Sequence, residues 1–104
     1  MSSTNNNREV AHFWFKLVDT GEKAMMRVPT NLCIANFIEF VKNQTYGSVF
    51  RIDRNLRIEI VEAGQELNGM RAEDAPAIQR DFNTTIRQRY NGVYEDKAFY
   101  IRYI

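Results

Sequence analysis

Between His12 and Val18 the chain alternates, with Phe13, Phe15 and Leu17 on one side and Trp14 and Lys16 on the other. A period of two is that of a half-buried strand, so Trp14 is expected to face away from the core. Asp19-Thr20-Gly21-Glu22 is turn chemistry, and Lys23 to Val28 resumes an extended apolar run, which predicts a hairpin. Pro29 ends the second strand. Ile34, Phe37, Ile38 and Val41 then recur at helical spacing, which predicts a helix of about three and a half turns with Thr30 accepting from its first amides.

Gln44-Thr45-Tyr46-Gly47 stops that helix, and Val49, Phe50 and Ile52 read as a short extended piece or packed loop. Leu56, Ile58 and Ile60 alternate with Arg57, Glu59 and Val61, predicting a third strand that exposes one aliphatic residue, Val61. A brief fourth strand is expected at Glu66 to Asn68, with Leu67 plugging the core. Ile78, Phe82, Ile86 and Tyr90 recur every four residues behind a Glu73 or Asp74 cap and Pro76, which predicts a second amphipathic helix ending near Asn91-Gly92. Phe99, Ile101 and Tyr103 alternate with Tyr100 and Arg102 in a last strand. This order favours a mixed sheet with the last strand parallel to the first, a β-grasp.

At 104 residues, 44% of them hydrophobic, the chain suits one domain over 10–104, with a polar Asn- and Ser-rich tail at 1–9. One cysteine, Cys33, allows no internal disulfide and suggests a reduced compartment, cytoplasmic or nuclear. No apolar run approaches the roughly 20 residues needed to span a bilayer, so no membrane is expected. Fourteen Lys and Arg against thirteen Asp and Glu give a net charge of +1, which selects no partner by itself.

The stretch from Ile60 through Ala63-Gly64-Gln65-Glu66-Leu67-Asn68-Gly69 to Arg71, followed by Asp74 and Ile78-Gln79, resembles the ubiquitin-like family. The hairpin with Lys16 and Gly21 and the Pro29-Thr30 approach to the helix are similar as well. The resemblance covers about residues 12–80 and 97–104. It implies an α+β ubiquitin-like β-grasp, a sheet of four or five strands with one packed helix, departing from the family in an enlarged segment at 80–96. The sequence reads to Ile104 with no Gly-Gly tail, the feature conjugation requires. The resemblance therefore points to a member that acts by binding, as an adaptor or subunit. Carried onto this chain, the family's docking face falls on Val61, Tyr100 and Arg102, and Trp14 lies beside it on the first strand. Aromatic, aliphatic and guanidinium groups together make a protein-binding hot spot.

Catalytic and metal chemistry find little material, since His12 and Cys33 are each the only residue of their type. No cofactor is expected. The alternative is a nucleic-acid or ribonucleoprotein module, with Arg51, Arg54 and Arg57 close together and Arg80, Arg87 and Arg89 on the second helix, interleaved with Tyr46, Phe50 and Tyr90. Against it stand Asp53, Glu59 and Asp81, which balance those cations. Homodimerisation through the second helix or a sheet edge is a further option.

Overall fold

The computed structural model describes residues 9–46, 50, 52–53, 55–62, 71, 74–95 and 97–104. Within them run β1 (Val10–Leu17), β2 (Lys23–Pro29), α1 (Ile34–Gln44), β3 (Ile58–Glu62), α2 (Ile86–Tyr90) and β4 (Ala98–Tyr103). The architecture is α+β, a four-stranded mixed sheet with two helices. Its strand order is β2-β1-β4-β3. β1 pairs antiparallel with β2 and parallel with β4, and β4 pairs antiparallel with β3. The expected parallel contact of first and last strands is present.

Alternation sorts the side chains as the sequence predicts. Phe13, Phe15 and Leu17 of β1, Met26 and Val28 of β2, Ile58 and Ile60 of β3, and Phe99 and Ile101 of β4 are buried on one face. The apolar stripe Ile34, Phe37, Ile38 and Val41 of α1 is buried in the same core. Aromatic rings fill its centre: Phe99 stands 5.1 Å from both Phe13 and Phe15 and 5.4 Å from Phe37, centroid to centroid. Such pairs add to the apolar area that each ring buries. Phe50 and Ile52 are buried as well, and neither lies in a described strand.

Helix starts depart from the expectation. Thr30 does not cap α1; the cap position is Cys33, whose side chain makes no capping bond. The first-turn amides are satisfied by backbone instead, Ile34 N–H donating to the Thr84 carbonyl at 2.9 Å and Ala35 N–H to the Asp81 carbonyl at 3.0 Å. The favour is returned at α2, where Ile86 N–H donates to Leu32 O at 2.9 Å and Arg87 N–H to Thr30 O at 3.0 Å. Both sets are the orphan donors that every helix start must place.

The second helix is also shorter than its periodicity predicts. It begins only at Ile86, behind a capping box in which Thr85 and Gln88 satisfy each other's backbone amides at 3.1 and 2.8 Å. Upstream, the Asp81 carboxylate accepts Asn83 N–H at 2.8 Å, an Asx turn that competes with helix. That same bond, followed by one from Thr84, holds the Asp81 carboxyl below its ordinary pKa. Phe82 is consequently 70% exposed rather than buried. Leu56 is exposed too, because β3 starts after it. Glu9 is tied down rather than loose: its carbonyl accepts Thr30 N–H at 3.1 Å and its carboxylate meets Arg87 at 2.5 Å. The expected strand at Glu66 to Asn68 lies outside the described residues.

These positions separate cleanly by mutation. Phe99→Ala removes the ring at the centre of the cluster and is expected to cost about 3–5 kcal/mol in urea denaturation. Phe82→Ala should change stability by less than about 0.5 kcal/mol. A loss at Phe82 as large as that at Phe99 would show the periodic helix to be right after all.

Candidate functional site on the outer face of the sheet

The face of the sheet opposite α1 carries the other phase of each strand. From the register, neighbours across it are Met25, Trp14 and Ala98 in one row, and Lys23, Lys16, Tyr100 and Val61 in the next. His12 and Arg27 flank the first row, and Arg102 and Glu59 the second. Trp14, Tyr100, Arg102 and Val61 therefore do share a face. They are not one exposed patch.

Val61 is the correction, being only 1% exposed. The chain turns back over this end of the sheet: Ile78 N–H donates to the Ile60 carbonyl at 2.9 Å along the margin of β3, and Ala75 is buried. Val61 and Ala75 line one crevice with Pro76, Ile78 and Arg89. Arg102 is engaged in the same closure. Its guanidinium meets Glu59 at 2.8 Å and donates to the Ala75 carbonyl. It fastens the cover instead of standing ready for a partner.

The other half of the face lies open. Trp14 is 51% exposed and Met25, directly opposite it on β2, 47%. Beside them Lys16, Lys23, Ala98 and Tyr100 line, with Trp14, an open and shallow hollow of about 470 Å³. The small side chain of Ala98, next to Trp14 in the register, leaves room between the indole and the phenol. Met25 was not singled out by sequence; its signal was the alternation of Lys23, Met25 and Arg27, which puts all three on Trp14's side.

Charge on this face is one-sided. Neither β1 nor β2 contains an acidic residue. Lys16, Lys23 and Arg27 have no ion-pair partner among the described residues, whereas Arg71, Arg80, Arg87, Arg89 and Arg102 each meet a carboxylate. Glu59, held by Arg102, is the one carboxylate that the described strands place on this face. Asp19 and Glu22 lie in the hairpin turn, and Glu95 lines a small hollow with His12.

The arginines of the nucleic-acid alternative are dispersed among acids. Arg80 pairs with Glu39 at 2.7 Å, Arg87 with Glu9, and Arg89 with Glu62 at 2.7 Å. Arg57 is exposed, and its carbonyl accepts Ile104 N–H at 3.0 Å. Arg51 and Arg54 lie outside the described residues. Arg89 also donates to the Tyr90 hydroxyl at 3.2 Å, and the Glu62 carboxylate beside it pushes the guanidinium pKa further up. Burial raises Tyr90 from an ordinary 10.0 to about 12 against the opposing bond from Arg89.

Among the described residues no group of three or more His, Cys, Asp or Glu converges to hold a metal ion, and no helix is long and apolar enough to cross a membrane. No family model matches the chain, and no curated protein or solved structure matches it either.

Two measurements check this geometry. Val61→Asp buries a carboxylate in a crevice whose one guanidinium, Arg89, is already paired with Glu62, and is expected to cost about 3 kcal/mol in urea denaturation, a loss of stability that a merely exposed docking residue would not show. Ultraviolet titration should show a tyrosine ionising near pH 12 that disappears in Tyr90→Phe. The folded chain keeps that proton after the unfolded chain has lost its own. Stability therefore falls as pH climbs from 10.0 towards about 12.

Proposed function

We propose that this chain is a non-catalytic protein-interaction module on a ubiquitin-like β-grasp, binding through the open half of its outer sheet face. Support for the β-grasp comes from the opening hairpin, the helix that follows it, the strand order β2-β1-β4-β3 and the parallel central pair β1 and β4. The observation that carries the binding reading is the exposed cross-strand pair of Trp14 and Met25 beside Tyr100. A half-exposed indole on a rigid strand has lost little freedom by being held there, so covering it gains area at small entropic cost. The surface offers apolar and aromatic area with cations at its rim. Such a surface acts by burial.

The nucleic-acid alternative draws less support, because Arg80, Arg87 and Arg89 already meet carboxylates and only unneutralised cations release counterions from a phosphate backbone. Trp14→Ala combined with Met25→Ala is expected to leave the circular dichroism spectrum unchanged and to weaken capture of partner protein about 30-fold or more, the loss of a hot spot of roughly 2 kcal/mol. The measurement is quantitative affinity purification from extract, followed by titration with the purified partner. Equal recovery of every partner by the double variant would move the binding face elsewhere.

A further inference from the structure

The open face ends on an open edge. Of the two margins of the described sheet, β3 is covered where Ile78 N–H bonds to the Ile60 carbonyl, whereas β2 has no described neighbour beyond it. The phase of the β1 to β2 ladder follows from the bonds that flank it, Leu17 N–H to Glu22 O at 2.8 Å and Thr30 N–H to Glu9 O at 3.1 Å. In step with those pairs, Ala24, Met26 and Val28 turn their backbone groups towards β1. The N–H and C=O groups of Lys23, Met25 and Arg27 then point out from the sheet. The same three residues place their side chains on the outer face, beside Trp14.

Unpaired backbone along a strand is a template for another strand. A second copy of this chain is a poor occupant. An antiparallel β2 to β2 pair centred on Met25 sets Lys23 opposite Arg27, and full parallel overlap sets cations opposite or next to cations. Like charges directly across a ladder repel. The complement of Lys23, Met25 and Arg27 is acidic, apolar, acidic at every second position.

We propose that β2 takes an extended acidic segment of a partner protein as an added antiparallel strand, with Glu or Asp opposite Lys23 and Arg27 and an apolar residue between them covering Met25 and Trp14. The proposal rests on the reading of the outer face as a protein-binding surface and names the chemistry of the segment that lies there. Lys16, one strand inward, adds a third cation next to Lys23. Backbone bonds to Lys23, Met25 and Arg27 supply affinity, and the alternating charges fix the register.

Trp14 is the only tryptophan, so its emission reports this face alone. The full chain is titrated with a capped nonapeptide centred on Glu-Thr-Ile-Thr-Glu and with one of equal composition centred on Thr-Glu-Ile-Glu-Thr, which moves both acids to the opposite face. The first is expected to shift Trp14 emission to the blue. The second should bind roughly tenfold more weakly or worse. N-methylation of the isoleucine and both glutamates of the first peptide, the amides that face β2 in an antiparallel pair, should abolish binding. Lys23→Glu with Arg27→Glu should lose the acidic peptide and accept its Lys-Thr-Ile-Thr-Lys counterpart. If the N-methylated or phase-shifted peptide binds equally well, or the first peptide fails to bind, strand addition is wrong. The face itself then stands or falls separately, on whether captured partner depends on Trp14 and Met25. If oligothymidylate shifts Trp14 emission while no peptide does, the cations serve a nucleic acid and the proposal is overturned.

Discussion

The parallel contact of β1 with β4 is the constraint on which the remaining structure depends. A parallel pair cannot be closed by a short turn, so the chain between the two strands must cross over, and that connection contains β2, α1, β3 and α2. Register then does the rest. It sets Phe15 beside Phe99, stacks their rings at 5.1 Å, and lays Phe37 of α1 against both. With β2 on one side and β4 on the other, β1 has no free edge, and Trp14 on its reverse is held by the same ladder that holds the core.

The two faces of this sheet are finished differently, and the outer one is finished only in part. Over β3, the returning segment at 74–78 and the Arg102 guanidinium close the surface. Over β1 and β2 nothing described does so. Charge follows the same division. A net +1 spread evenly would draw no partner, yet pairing engages Arg71, Arg80, Arg87, Arg89 and Arg102 and leaves Lys16, Lys23 and Arg27 together without a partner among the described residues. Local neutralisation, not the sum, decides where the field is felt.

The legible parts of this fold were those governed by a short repeat. Period-two alternation in β1 and β4 identified the inward rings and the outward Trp14 because both faces of a strand are written in adjacent residues. The stripe of α1 was readable for the same reason. The burial of Val61 is not legible in its own strand, because it depends on residues 74–78 folding back, a contact that no local pattern encodes. The spacing of Phe82 to Ile78 and Ile86 mimics a helix; the contrary signals, Asp81 two before Asn83 and Thr85 three before Gln88, are capping chemistry that outweighs periodicity. The pairing of Arg80 with Glu39 and of Arg87 with Glu9 joins residues remote in the chain. Proximity of arginines in sequence therefore overstated the basic surface.

The reciprocal bonds between the two helix starts carry a consequence for how this protein tolerates change. Main-chain carbonyls at 81 and 84 do for α1 the work normally assigned to a Ser, Thr or Asp side chain, which is why a thiol can occupy its cap position. A latch made of backbone is indifferent to side-chain identity. The cap position of α1 therefore sets no side-chain requirement, whereas Thr30, buried with its hydroxyl donating to the Glu9 carbonyl at 3.3 Å, is fixed by its own contacts.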